Sequence, residues 1–264
     1  PNPRAWCYDS NSGVGDGAAC RITTTMTDPH PTGLFDGYDL GGFFDEMFAS
    51  DGHPHPWCAR LLKSLSQLSP QEMDLKRELA DLAMLNQGIT FTVYGDEKGI
   101  EKPFPFDLVP RVLPYDEWTR IEAGLKQRVR ALNLFLADVY DEGLILRDRV
   151  VPRDLVVGAR DFRHELLGSK RPDPVPVNIC GTDLIRGADG AFHVLEDNCR
   201  TPSGVSYVLQ NRILQMRTFP NLFRENAVLP VDHYPQALMR TLLRIAPPGI
   251  EDPVIVVLTP GRYN

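Results

Sequence analysis

One stretch of the sequence, residues 181–200, constrains the fold most because it predicts a β-hairpin that carries acidic side chains. Two runs with strand-like alternation, residues 177–186 and 191–198, flank a turn that ends in Asp189-Gly190. This dipeptide is among the strongest short-range signals for a hairpin. Side chains alternate between the two faces of a strand, so the pairing register decides which of them meet.

The length of the turn fixes that register. If the loop holds an even number of residues, either 189–190 or 187–190, Asp183 points to the same face as Glu196 and Asn198. With the two-residue loop, Asp183 lies directly opposite Glu196, and their Cβ atoms are about 5 Å apart. Two carboxylates at that distance repel each other unless they share a cation.

Such a set of oxygen ligands is suited to Mg²⁺, which takes a few protein ligands and completes its shell with water and phosphate. Asn198 would add an amide oxygen, and Arg200, of the same parity, could contact a phosphate through its forked guanidinium. The alternative is a solvent-facing hairpin whose acids only keep the chain in solution. Apolar residues in these strands favour the metal site, because they are many for a surface ribbon: Val177, Ile179, Phe192, Val194 and Leu195.

At Asp183, Glu196 and Asn198 the chain resembles the ATP-grasp superfamily, in which an acid on one strand and a Glu-x-Asn pair on the next bind the magnesium ions of ATP. Residues 200–204 are similar to the segment that follows this pair in peptide-forming ligases such as D-alanine ligases and glutathionylspermidine synthases. Ligases of this superfamily make an acyl phosphate from a carboxylate and ATP, and an amine then attacks it. The resemblance therefore implies ATP and Mg²⁺ as cofactors.

Four further phrases narrow the resemblance to the bacterial circularly permuted ATP-grasp proteins (type 2), and the likeness runs over residues 26–264. In that family the lobe with the metal ligands comes first, and the lobe that grips adenine and carries the phosphate-binding lysine comes later. The implied fold is α/β (α+β), ATP-grasp-like and circularly permuted. The phrases lie at residues 88–95, 103–111, 127–133 and 195–207.

The resemblance also suggests how the chain is divided. Residues 26–150 would form a helical and mixed region, and residues 151–250 the lobe with the metal-binding hairpin. Residues 253–261 predict a buried parallel strand followed by a glycine turn, the usual opening of a further α/β unit over 251–264. The expectation is a chain truncated before the second ATP-binding lobe, and inactive by itself.

The first 25 residues differ from those that follow. They are rich in Gly, Ser, Asn and Thr, show neither a helical nor a strand period, and end just before Met26. We therefore expect residues 1–25 to be a disordered leader upstream of a natural start at Met26.

Composition limits the partners. A formal net charge of −7 and a pI near 5.4 argue against nucleic acid, which requires a basic face. No apolar run approaches the roughly 20 residues of a membrane span, and no signal peptide is evident. Five cysteines without a Cys-x-x-Cys pair predict reduced thiols and a cytoplasmic location. The expected partners are small-molecule or peptide carboxylate and amine substrates. A partner protein encoded nearby and the oligomeric state stay open.

Helix signals frame the hairpin in the sequence. Ser69 to Glu72 form a capping box with proline at the first helical position, and the helix should run to about Gln87 and end at Gly88. Asp116 is expected to cap the longest helix, which continues to about residue 141 and is closed by Gly143.

Ser203 and Gly204 predict a turn and an N-cap for a helix over residues 205–217, whose first amides would suit a phosphate or a carboxylate. In the plain alternative Ser203 only caps the helix. With Arg200 as the catalytic residue that stabilises charge on the transferring phosphoryl group, the interpretation is an ATP-dependent carboxylate–amine ligase. The competing interpretation is a non-catalytic ATP-grasp-like scaffold or a regulatory nucleotide-binding protein.

Overall fold

A computed structural model describes residues 34–92, 101–169 and 175–256 of the protein. Helices dominate these ranges, and four short strands pair as two antiparallel ribbons, β1 with β2 and β3 with β4. This mixture confirms the predicted α/β (α+β) class. The elements are α1 Ala59–Leu65, α2 Pro70–Asn86, β1 Thr90–Thr92, β2 Glu101–Pro103, α3 Tyr115–Val139, α4 Leu144–Arg147, α5 Arg153–Val157, β3 Gly181–Arg186, β4 Phe192–Asn198, α6 Val205–Thr218, α7 Pro220–Glu225 and α8 Tyr234–Arg244, with a 3₁₀ turn at His164–Leu166.

The main hydrophobic core lies among α1, α2, α6 and α7. Each fully buried leucine or methionine in such a core stabilises the fold by roughly 1.5–3 kcal/mol. Because α6 follows the β3–β4 hairpin closely in sequence, this core anchors the downstream end of the hairpin. The buried members are Leu61, Leu65, Met73, Ala80, Met84, Leu108, Leu214, Phe219 and Leu222.

Helix α2 begins and ends as predicted. The Ser69 hydroxyl oxygen accepts a hydrogen bond from the Glu72 amide at 3.2 Å, and the Glu72 carboxylate accepts one from the Ser69 amide at 2.8 Å. These bonds hold the pKa of the Glu72 carboxyl below its ordinary value. Gly88, with a φ of 68°, turns the chain out of the helix in a conformation that glycine adopts without strain.

The caps predicted for α3 were wrong. Helix α3 begins at Tyr115 after Pro114, whose φ of −61° already suits a helix start, so Asp116 lies inside the first turn. The helix ends at Val139, and Gly143 is instead the residue before α4. The reason is the Asp138 carboxylate, which accepts hydrogen bonds from the first two amides of α4 at 2.8 and 2.9 Å.

Two polar contacts fasten the hairpin to α3. The Asn133 side chain accepts a hydrogen bond from the Val177 amide at 2.7 Å and donates one to the Val177 carbonyl at 3.3 Å. Arg128 donates to the Asp197 carboxylate at 2.7 Å. Helix α3 thus fixes the position of the segment before β3 and of the C-terminal end of β4.

A third contact between hairpin and helix is an ion-pair cluster at the far end of β3. The Arg186 guanidinium donates two hydrogen bonds to the Glu117 carboxylate, at 2.7 and 3.0 Å, and one to Glu46 at 2.9 Å. It also donates to the Gly190 carbonyl in the turn at 2.7 Å. The cluster therefore connects the hairpin, α3 and the segment before α1.

Arg186 is protected from water. Its side chain is 7% exposed, and its guanidinium carbon lies 3.9 Å from the ring centroid of Phe192 and 4.6 Å from that of Phe44. Both distances are within the range of cation–π attraction. The hydrogen bonds that Arg186 donates to Glu117 and Glu46 raise the pKa of its guanidinium further above its already high ordinary value.

Two predictions outside these elements need comment. Residues 253–256 form no strand, and Val254 is 90% exposed, so the buried strand predicted there was wrong over these four residues. A strand needs a neighbour for its backbone hydrogen bonds, and the described residues place none beside this segment. The predictions for residues 1–25 and 257–264 lie outside the described residues, and the division at residue 150 stays a prediction. None of the described helices is long and apolar enough to cross a membrane.

The cluster predicts a large effect on stability. We expect Arg186→Met to lower the free energy of unfolding by about 3 kcal/mol, because it leaves two shielded carboxylates without their cation. Arg111 is the matched control, since it also contacts Glu46, at 3.4 Å, but its side chain is 62% exposed. Arg111→Met should cost about 0.5 kcal/mol or less. Urea unfolding of both variants measures the difference, and equal losses would contradict a central role for Arg186.

The same contact predicts a pH dependence. Hydrogen bonds from Arg186 hold the pKa of the Glu117 carboxyl below its ordinary value of 4.5. A carboxyl whose pKa is lower in the folded state stabilises the fold above its unfolded pKa, and this contribution is lost as the pH falls through the folded pKa. The unfolding free energy of the wild type should therefore fall more steeply below pH 4.5 than that of Glu117→Gln. Parallel curves would refute the assignment.

Candidate functional site

The pairing at the centre of the hairpin is the one that the sequence predicted, but the loop that connects the two strands differs from the expected one. Asp183 lies opposite Glu196, and Gly181 lies opposite Asn198. The strands end at Arg186 and Phe192, so the connection between them holds an odd number of residues, 187–191, and the expected even loop was wrong. A β-bulge between Asp183 and Leu184 absorbs the extra residue of β4 and restores the pairing.

The bulge at Leu195 lets β4 direct apolar side chains toward the protein before it and Glu196 toward solvent after it. Phe192 and Val194 pair with Arg186 and Leu184 toward the protein, and both are half-buried. Without the bulge, Glu196 would share their face, because all three positions have the same parity. With the bulge, Glu196 turns to the exposed face. The change from apolar to acidic residues at constant parity was the sequence signal for this irregularity.

The three predicted metal ligands converge on that exposed face. The Asn198 amide nitrogen donates hydrogen bonds to Asp183 at 3.0 Å and to Glu196 at 3.1 Å. One amide thus bridges two carboxylates and offsets part of their repulsion with its partial positive charge. A half-turn of the amide would present its oxygen instead, which would give three oxygen ligands at one point.

The electrostatics of this face favour a cation. Among the described residues, no Lys, Arg or His side chain forms an ion pair with Asp183 or Glu196. Within the same ranges, no third acid, histidine or cysteine joins them to make a closed metal cage. Two acids and an amide, open to solvent, suit Mg²⁺, which keeps several waters and takes its remaining ligands from a substrate phosphate.

The opposite face of the hairpin supports these ligands. Asp197 lies between Glu196 and Asn198 in sequence but points to the other side, where its side chain is only 10% exposed. Its carboxylate accepts one hydrogen bond from Thr182 at 2.9 Å and one from Arg128 at 2.7 Å. Sequence reasoning gave Asp197 no role, although the alternation of strand faces could have separated it from the Glu-x-Asn pair.

Strand geometry does not place Arg200 beside the three predicted ligands. Strand β4 ends at Asn198, so the parity that predicted its direction no longer applies two residues later. The side chain is 79% exposed, and its guanidinium lies 3.8 Å from the carboxylate of Asp161. A pair this exposed is worth little in stability, which leaves Arg200 available to a ligand.

The segment that follows the hairpin packs closely against the start of β3. A Cβ added to Gly181 would lie 3.0 Å from the Pro202 side chain, so the glycine lets the returning segment pack against β3. Helix α6 then begins at Val205 with Gly204 as its N-cap, at a φ of 94°, and no side chain caps it. Gly204 thus supplies the N-cap predicted at this turn, and the plain alternative in which Ser203 caps the helix was wrong. The first amides of α6 are left to other partners, as an anion site requires.

Comparison with known proteins decides the family. Residues 110–264, more than half of the chain, match the family model described as "A circularly permuted ATPgrasp". The chain belongs to the circularly permuted ATP-grasp family. The matched segment includes every residue of the candidate site, and the family confirms the resemblance that the hairpin motif predicted. The type 2 assignment stays a prediction.

Relatives of this ATP-grasp chain are bacterial. It is 47% identical over 227 residues to an uncharacterised protein of Synechocystis, with 86% of this chain and 47% of the relative covered. It is 43% identical over 235 residues to an uncharacterised protein of Mycobacterium tuberculosis, covering 88% and 42%. The chain therefore spans about half the length of these curated relatives.

Two relatives, both from Frankia, have functional names. A protein of Frankia casuarinae named "Putative glutamate--cysteine ligase 2-2" is 37% identical over 234 residues, covering 88% of this chain and 26% of the relative. The name is given to a whole protein, about three quarters of which lies outside the matched segment.

The site predicts a measurable metal affinity. In the full-length protein we expect Asp183→Asn or Glu196→Gln to weaken Mn²⁺ binding at least about tenfold, since each removes one negative charge next to the ion. The control is Asp189→Asn, which removes an acid from the turn of the same hairpin. The Asp189 carboxylate accepts a hydrogen bond from the Ala191 amide at 3.0 Å. Electron paramagnetic resonance of a Mn²⁺ titration measures all three. A loss in the Asp189 variant equal to that in the others would contradict a local site.

Proposed function

We propose that the full-length protein is a magnesium-dependent ATP ligase that joins a carboxylate to an amine, and that this chain contributes its metal-holding hairpin. The observation that carries the proposal is the convergence of Asp183, Glu196 and Asn198 on one open face, bridged by hydrogen bonds of 3.0 and 3.1 Å. Membership of the ATP-grasp family supports it.

The donor set fits magnesium and the phosphates of ATP. Asp183 and Glu196 would hold the cation with their carboxylates, and Asn198 with its amide oxygen. When bound, Mg²⁺ would neutralise charge on the β- and γ-phosphates. Asp197 has a positioning role, because its contacts to Thr182 and Arg128 fix the backbone between the two ligands of β4.

Two further groups would act on the phosphoryl group and the substrate. Arg200, exposed and within 3.8 Å of the Asp161 carboxylate, would turn toward the transferring phosphoryl group and stabilise its charge. The uncapped start of α6 at Ser203 and Gly204 would orient a phosphate or substrate carboxylate through its amides. Catalysis would then consist of positioning and electrostatics, with an acyl phosphate as the intermediate that the amine attacks.

The substrate class is inferred from relatives. The resemblance to glutathionylspermidine synthases and the name of the Frankia relative both point to a peptide-like or polyamine amide bond. Neither specifies the acid or the amine. The proposal accordingly names the bond and not the molecules that it joins.

The first experiment measures Mg²⁺-dependent phosphate release by the full-length protein against amino acids, short peptides and polyamines. We expect release only when a carboxylate and an amine are both present, and a fall of at least about 100-fold in Glu196→Gln, since loss of one stabilising group of this kind costs about 10²–10³. The Asp189→Asn variant should keep its activity. Magnesium-dependent ATP binding without any release across the panel would overturn the ligase and favour a non-catalytic nucleotide-binding protein.

Arg200 has a matched neighbour for its own test. Arg163 also lies beside Asp161, at 4.0 Å, and its side chain is 55% exposed. Arg200→Met should lower kcat by about 100-fold or more, and Arg163→Met should leave it unchanged, because only Arg200 follows the ligand strand. Both variants should unfold at the wild-type urea concentration. Similar kcat values in the two would remove Arg200 from the site.

A further inference from the structure

We propose that Cys180 and Cys199 form a redox-active pair that closes to a reversible disulfide at the base of the β3–β4 hairpin, with a small disulfide such as oxidised glutathione as the oxidant. The two thiols are free in the reduced chain, and their sulfur atoms are 3.6 Å apart. Their formation of a disulfide does not depend on the proposed function.

The strand register brings the pair together. Gly181 lies opposite Asn198, and each cysteine is the next residue outward on its own side. Neighbouring antiparallel positions have Cα atoms about 4.5–5.5 Å apart, which is within the range that a disulfide spans. A sulfur–sulfur bond of about 2.05 Å requires the two atoms to approach by about 1.5 Å. Side-chain rotation and a small backbone shift provide such a movement.

The surroundings leave the pair free to react. Both side chains are half-buried, and the Cys180 sulfur also lies 3.5 Å from the Thr182 hydroxyl. The other described cysteine, Cys58, is in a different situation. It is buried, and its thiol donates to the Glu46 carbonyl at 3.3 Å. Cys58 therefore serves as an internal control for thiol reactivity.

The reaction balances with glutathione disulfide. One thiol loses its proton and attacks a sulfur of the oxidant, which releases one glutathione thiolate and leaves a mixed disulfide on the protein. The second thiol loses its proton and attacks the protein sulfur of that mixed disulfide, which forms the Cys180–Cys199 bond and releases a second glutathione. Both released thiolates take up the two protons. The protein loses two electrons, and the oxidant gains them.

Closure would act on the candidate site, and this consequence rests on the proposed function. Asn198, which bridges Asp183 and Glu196, is the residue next to Cys199. Drawing the two sulfurs together moves the backbone at that end of β4. The oxidised protein should then bind Mn²⁺ with altered affinity, whereas disulfide formation itself is expected even if no metal binds.

The test uses the full-length protein with Cys7 and Cys20 changed to Ser. The protein is incubated with oxidised glutathione, quenched by alkylation and mapped by peptide mass spectrometry. We expect a Cys180–Cys199 crosslink that dithiothreitol reverses. Cys58→Ser should form the same crosslink at the same rate. Cys199→Ser should form none and should retain glutathione on Cys180.

Other outcomes would overturn the inference. They are alkylation of both thiols after prolonged exposure, separate glutathione adducts on each cysteine, or a crosslink that forms only in urea. If Cys199→Ser fails to fold, the peptide maps of the parent protein and of Cys58→Ser decide the matter.

Discussion

The arrangement depends on one cation, Arg186, which lies where three parts of the chain meet. Its guanidinium satisfies two carboxylates and one turn carbonyl while resting against two aromatic rings. Transferring such a group from water is costly unless almost every donor is paired, and here four donor contacts are within 3.0 Å. The hairpin therefore has one low-energy position on α3, and its opposite face can remain open.

Charged side chains are neutralised at the turn of the hairpin, whereas at its base they are exposed to solvent. At the turn, acids and an arginine neutralise one another away from water. At the base, Asp183 and Glu196 are exposed and share only the amide of Asn198. A chain selected for stability alone would pair these acids with a cation of its own. Their unpaired state costs some stability and creates affinity for an ion from outside, and sites of this kind commonly show such a conflict.

Local patterns predicted the parts of this structure that depend on nearby residues. The capping box of α2 follows from a spacing of three residues and is confirmed. The Asp183–Glu196 pairing is also confirmed, although the even loop that predicted it was wrong and the bulge at Leu195 restores the register. The Arg186 cluster joins residues separated by 69 and 140 positions, and no local pattern encodes it. The caps of α3 were displaced because the backbone of Pro114 suits a helix start and the Asp138 carboxylate binds the first amides of α4. The family resemblance was sound because its motif is the ligand set itself.

The bulge at Leu195 has a consequence for how this hairpin tolerates change. A substitution at one ligand removes one oxygen atom and leaves the others in place. If β4 kept all its residues and the loop its length but the bulge were lost, every later residue of β4 would stand on the opposite side. Glu196 and Asn198 would face the helix, and Asp197 would face the solvent. The odd loop and the bulge are therefore coupled, because either one alone would move Glu196 and Asn198 off the face that holds Asp183.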